Sequence, residues 1–145
     1  IDNVINDSAF IGGTVRSFAR PVQDMVERRM REICAGHAAA FAVDVTCTYS
    51  RGYPATVNMP EHTAFASQVA EEVCGTALLE TDRTREMGAE DFSYLLEKRP
   101  GCYLFLGQGE GAAWHNAAFD FNDEVSPVGA SFFARLVERA QPLEQ

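Results

Sequence analysis

What this 145-residue sequence lacks is the first guide to it. No apolar run approaches the roughly 20 residues of a membrane-spanning helix, and the N-terminus has no charged stretch leading into an apolar one. A chain with no membrane partner and no export signal is expected. Basic residues are few: 12 against 21 acidic, a net charge of −9. Arg28, Arg29 and Arg31, the longest basic cluster, is broken by Met30 and followed by Glu32. Phosphate-tracking surfaces need clustered Lys and Arg, so nucleic acid is not an expected partner. Cysteine is sparse as well. Cys34, Cys47, Cys74 and Cys102 are widely spaced with no CxxC pair, which predicts buried, reduced thiols in a cytoplasmic protein. A disulfide or a thiolate metal site is the alternative. There is no internal repeat and no low-complexity segment.

With 46% hydrophobic and 23% charged residues, the composition is that of an ordinary globular chain. Its length allows a core without disulfide or metal staples but is short for a complete multidomain enzyme. Charge is unevenly spread. Residues 1–60 hold six acids and six bases, so the whole surplus of −9 falls after residue 60. The shift coincides with the turn-rich stretch 52–60 (GYPATVNMP), a candidate domain boundary.

An α/β pattern is expected. Residues 9–18 carry β-formers around Gly12-Gly13, and a helix follows in which Pro21 suits the first turn and Asp24 and Glu27 favour the positive end of the dipole. Val22, Met25, Val26, Met30, Ile33, Cys34 and His37 mark its apolar face. Residues 41–49 switch to period two, the mark of a strand. A helix over 60–74 buries Ala66, Val69, Ala70 and Val73 and stops at Gly75. Residues 78–85 are a short strand or loop, and a short helix after Asp91 turns Phe92, Leu95 and Leu96 inward. Residues 102–106 (CYLFL) read as a strand buried on both faces. Ser126-Pro127 reads as a cap and first turn of a helix to about Ala140, with Val128, Phe132, Leu136 and Val137 inside.

Of the three histidines, His37 suits the carbonyls at a helix C-terminus and His62 a solvated first turn. His115 follows an apolar run and a glycine-rich loop (107–111), beside the single tryptophan, where α/β proteins position functional side chains. A metal-ligand or acid/base role is open to it. Glu90 and Asp91 fit either helix capping or one carboxylate aimed at a metal-ligand histidine or a substrate amide. The loop 107–111 has no Lys-Ser/Thr after it and is not a phosphate loop. His115 has no HxxH, HxxE or HxH companion, and GxSxG is absent, so no self-contained catalytic set exists.

Six ordered blocks carry a resemblance: 3–7 (NVIND), 13–18 (GTVRSF), 52–58 (GYPATVN), 87–92 (MGAEDF), 100–107 (PGCYLFLG) and 115–124 (HNAAFDFNDE). Together they resemble the C-terminal part of the zinc-dependent aminoacylase/carboxypeptidase family (M20), in its hippurate hydrolase, N-acyl-amino-acid hydrolase and indole-acetyl-amino-acid hydrolase branch. The resemblance implies an α/β fold with residues 1–53 in the later half of a ferredoxin-like lid or dimerisation domain. Residues 54–145 would form the C-terminal part of a dimetal-hydrolase catalytic domain.

By the same resemblance His115 is a metal ligand, Asn3 contacts the substrate's carboxylate end, and Glu90 lines the active site beside metal or substrate, with Asp91 next to it. The implied cofactor is a pair of divalent metals, zinc or else manganese, cobalt or nickel. The implied substrate is an N-acyl amino acid or related amide. The implied partners are the N-terminal half of the same polypeptide, absent here, and a second copy paired through the lid. Alone, the chain is expected to be inactive. Ala89, Ala117 and Asn6 stand where the family usually has serine, proline and proline. An alternative from a different class is a non-catalytic α/β interaction or dimerisation module.

Overall fold

The structure is a computed structural model that describes residues 3–142. Its contacts divide the chain into two units, Ile1–Ala55 and Thr56–Gln145. The sequence reading puts the change at 53/54.

In the first unit, helix α1 spans Arg20–Phe41. Ala19 is extended, and its carbonyl accepts from Val22 and Gln23, while Pro21 occupies a turn where an amide proton would have no partner. The half-buried row is Gln23, Val26, Glu27, Met30, Cys34 and Ala38, a helical period. Val22, Met25 and Ile33, expected on the covered face, are about half exposed. Asp24 and Glu27 lie beyond the first turn and answer Arg51 rather than the helix dipole. Arg51 bonds Glu27 at 2.6 and 2.8 Å and Asp24 at 2.6 Å, and Arg31 bonds the other Glu27 oxygen at 2.8 Å. His37 stacks on Phe41, one turn on, with ring centroids 5.8 Å apart. The helix ends at Ala42 in the left-handed region (φ 51°), where the Val43 amide donates back to the Ala38 carbonyl.

In the second unit, α2 (Pro60–Cys74) packs against α4 (Ser126–Ala140). Ala66 and Val69 are buried, with Ala70 and Val73 half-buried beside them. Glu72 on α2 holds both Arg135 and Arg139 of α4 at 2.7 Å. At Gly129 of α4, a Cβ would lie 3.4 Å from the Leu106 side chain, an ordinary van der Waals contact, which places Leu106 beside the helix. Gly75 (φ 79°) stops α2, and a 3₁₀ turn, Thr76–Leu78, leads into a loop. The short α3 (Phe92–Leu96) buries Ser93 and Leu96, while Leu95 faces out. On α4, Phe132 and Leu136 are half-buried and Val128 and Val137 exposed. Ser126 is not the cap. Asn122 caps the 3₁₀ turn Asp123–Val125, which runs straight into α4.

No strand is assigned among the described residues. The reason is visible where residues 58–59 meet 101–103. Met59 donates to the Gly101 carbonyl at 3.0 Å, but the next two bonds run through the Asn58 side chain rather than backbone to backbone. A strand is a property of a ladder, and one backbone bond does not make one. Leu104, Phe105 and Leu106, expected to be covered on both faces, are each about half exposed.

Burial is thin throughout. Among the described residues, the buried ones are Ala66, Val69, Ser93 and Leu96, of which Val69 and Ser93 are fully buried. The chain exposes 12468 Å². Two separate compact domains of these sizes would expose about 9,000 Å² by surface scaling. The excess is apolar as well as polar: Phe133, Val137, Ile33 and Trp114 are all more than half exposed.

Candidate functional site

Glu90 precedes α3. Its backbone carbonyl accepts from the Ser93 amide and from the Ser93 hydroxyl, at 3.3 and 2.6 Å, which fixes the turn. One carboxylate oxygen accepts from the Phe92 amide at 3.4 Å, and the other accepts from the Tyr103 hydroxyl at 3.1 Å. Hydrogen bonding with the adjacent Asp91 carboxyl, then with the Phe92 amide and the Tyr103 hydroxyl, holds Glu90 below the usual carboxylate range. Desolvation and this carboxylate push the Tyr103 hydroxyl upward. The result is an ionised acceptor beside a protonated donor at neutral pH. Glu90 is thus half-buried and bonded through both carboxylate oxygens, while Asp91 is exposed.

Tyr103 is itself clasped. The Asn58 amide nitrogen donates to the Tyr103 carbonyl at 2.9 Å, and the Tyr103 amide donates to the Asn58 amide oxygen at 2.8 Å. A side-chain amide here replaces a strand neighbour.

His115 lies in a turn over residues 113–116, closed by the Asn116 amide on the Ala113 carbonyl at 3.1 Å. It occupies the third position with φ 64°, a conformation that this kind of turn normally gives to glycine or asparagine. A left-handed non-glycine residue stores about 1 kcal/mol or more, and such strain persists where the surroundings enforce it. The surroundings do. Asn116 forms an Asx turn onto the Ala118 amide at 2.8 Å. At the base of the loop, the Asn122 amide nitrogen donates to the Gln108 carbonyl at 3.1 Å, and the Gln108 side chain spans the Asn122 amide and the Asp120 carbonyl at 3.4 Å each. Residues 108–122 are thus a pinned loop with the exposed His115 ring toward its tip.

An aromatic chain joins the two places. Phe92 and Tyr103 are 5.5 Å apart, Tyr103 and Phe105 5.2 Å, and Phe105 and Trp114 6.3 Å, ring centre to ring centre. The Arg83 guanidinium lies 4.2 Å above Phe105. Glu90 and His115 therefore belong to one connected structure in the second unit, whereas Asn3 lies in an exposed turn of the first unit. His62 differs from expectation: it is half-buried, its carbonyl accepts from the Cys102 thiol at 3.6 Å, and its Nδ1 is buried 3.7 Å from Glu61. Among the described residues, no three His, Cys, Asp or Glu side chains converge as a metal cage. His115 is exposed on its loop and belongs to no such cluster among the described residues.

Asn58, Tyr103, Gln108 and Asn122 went unmarked as site residues in the sequence. Their signal was weak but present: a lone hydroxyl inside the apolar run 102–106, and asparagines at the borders of elements.

The profile described as Peptidase family M20/M25/M40 matches residues 4–139. Among curated proteins, the chain is 31% identical over 134 residues to "Hippurate hydrolase" of Campylobacter jejuni, covering 92% of this chain and 35% of that protein. It is 33% identical over 141 residues to "N-acetyl-L-cysteine deacetylase" of Bacillus subtilis, covering 97% and 32%. It is 32% identical over 141 residues to "Thermostable carboxypeptidase 1" of Saccharolobus solfataricus, covering 93% and 35%. The chain spans about a third of the length of these relatives. No solved structure matches it at a significant level.

Proposed function

Because the chain belongs to peptidase family M20/M25/M40, a family of hydrolases, we propose that it is the C-terminal portion of a metal-dependent amidohydrolase. The substrate is an N-acyl amino acid or a related conjugate, cleaved at its amide bond. The first unit is the later part of a ferredoxin-like lid, and the second the C-terminal part of an α/β dimetal catalytic domain. We assign the parent protein to the cytoplasm on cysteine usage.

The observation that carries this reading is His115. An exposed imidazole held at φ 64° by a pinned loop is costly unless its position matters. We assign it one ligand position in a site completed by the N-terminal half of the same polypeptide. Two divalent cations there, zinc or else manganese, cobalt or nickel, would supply an activated water and a polarised carbonyl. Glu90, kept ionised, is the acceptor facing that site, and Tyr103 fixes its direction. Asn3 contributes to the substrate's carboxylate end when the lid closes.

One imidazole does not hold a metal pair, so the 145-residue chain alone is inactive. The test compares this chain, the longer polypeptide its gene encodes, and the longer polypeptide with His115→Ala. Each is assayed on N-benzoylglycine with zinc or manganese, alongside bound-metal analysis. Only the longer polypeptide should turn over. His115→Ala should lose metal and more than about a hundredfold in activity, since even the outer partners of metal ligands are worth 10–100-fold. Turnover by the short chain, or a fully metallated and active His115→Ala, would overturn the reading.

The half-exposed Val22, Met25 and Ile33 on α1 favour a second role for the first unit, as the surface that pairs two copies. That role is compatible with the first and would be the whole function if the chain proved non-catalytic.

A further inference from the structure

Asn58 is joined to the site by contacts that the proposed chemistry leaves unused. Its half-buried side chain makes two bonds to one residue: the amide nitrogen donates to the Tyr103 carbonyl at 2.9 Å, and the amide oxygen accepts from the Tyr103 amide at 2.8 Å. An asparagine amide offers a donor and an acceptor at once, the two groups a strand neighbour would supply. Two more contacts dock the start of α2 along residues 101–103. Met59 donates to the Gly101 carbonyl at 3.0 Å, and the Cys102 thiol donates to the His62 carbonyl at 3.6 Å. At Tyr103, where no backbone partner is found among the described residues, Asn58 stands in for one.

What Tyr103 carries makes this clasp matter. Its hydroxyl donates to one Glu90 carboxylate oxygen at 3.1 Å, while the other oxygen accepts from the Phe92 amide at 3.4 Å. Its ring packs between Phe92 and Phe105, and Phe105 leads on to Trp114, the neighbour of His115. The hydroxyl stands at the far end of the ring. A small turn of the Tyr103 backbone therefore sweeps it through a larger arc than a hydrogen bond tolerates. No ladder along 102–106 prevents that turn.

From these contacts we infer that Asn58 is a positioning residue for the site, acting through Tyr103: by fixing the Tyr103 backbone it fixes the direction of the Glu90 carboxylate. The aim of the carboxylate stands on contacts within the second unit, whereas its consequence for turnover rests on the amidohydrolase reading above.

The test is a double-mutant cycle in the longer polypeptide, with Asn58→Ala, Tyr103→Phe and both together. Asn58→Ala should move the Glu90 titration upward in carboxyl-carbon NMR, and in the Tyr103→Phe background it should move it no further. Turnover of N-benzoylglycine should follow the same pattern. With Asn58→Ala, kcat falls about tenfold or more while KM and bound metal keep their wild-type values, and adding Tyr103→Phe costs nothing extra. Asn58→Ser leaves a hydroxyl that can bond at most one of the two Tyr103 groups; it should act in the same direction by less, and it serves where the alanine variant does not fold. Thr63→Val is the control for the start of α2, since the Thr63 hydroxyl bonds the Met59 carbonyl at 2.9 Å without touching Tyr103, and it should change neither measurement. Additive effects in the cycle, an equal shift from Thr63→Val, or a Glu90 titration that no Asn58 variant moves would overturn the role of Asn58. An inactive longer polypeptide would overturn the amidohydrolase reading instead, and the Glu90 titrations would still decide for or against Asn58.

Discussion

The two carboxylate oxygens of Glu90 face different donors, and that division has a pH signature. Its folded-state pKa lies below the usual value, through Asp91 first and then the Phe92 amide and the Tyr103 hydroxyl. The stability it contributes is therefore present at neutral pH and is lost as pH falls through the depressed value. Tyr103→Phe deletes one donor while keeping the ring that packs between Phe92 and Phe105. The expected result is an upward move of the Glu90 titration in carboxyl-carbon NMR, with less loss of stability on acidification. An unmoved titration would remove Tyr103 from the account. The sequence points to Glu90 because it stands beside Asp91 at the start of a helix, and to His115 because it follows an apolar run and a glycine-rich loop. It did not point to Tyr103 or Asn58, whose contacts join residues 13 and 45 positions away.

Two elements depend on single residues. Asn122 closes the loop over 108–122 through its amide and caps the following 3₁₀ turn with its oxygen, which accepts from the Glu124 amide at 3.1 Å. Asn122→Ala is expected to cost about 1–2 kcal/mol in denaturant unfolding, the sum of a lost cap and a lost clasp. Amide exchange should rise over 109–121 more than in α2. At the other unit, α1 ends on Ala42 with φ 51°. Glycine takes that conformation without a Cβ clash, so Ala42→Gly should stabilise the helix end by about 0.5–1 kcal/mol, against the usual direction of Ala→Gly in helices. Loss of stability would mean the left-handed cap is not kept in solution. The bounds of α2 and the stop at Gly75 were readable from the proline, the apolar period and the glycine. Which residues of α4 were covered was not, because that depends on how α4 packs against α2, an element more than 50 residues away.

For the whole molecule, exposed surface is the dominant fact. A chain exposing 12468 Å², with Phe133, Val137 and Ile33 more than half uncovered, should bind an anilinonaphthalene dye and associate as its concentration rises. A monodisperse, dye-free monomer by light scattering would contradict that expectation. By itself the sequence determined the helices, since local period, proline and glycine act within a few residues, and it determined the family, since six blocks recur in order. It also located the whole acidic surplus after residue 60. Only tertiary structure decided that Asn58 pairs with Tyr103, that His115 sits in a left-handed turn on a pinned loop, and that Glu72 holds Arg135 and Arg139. Those are contacts between distant positions, and their energies come from geometry that no local pattern encodes.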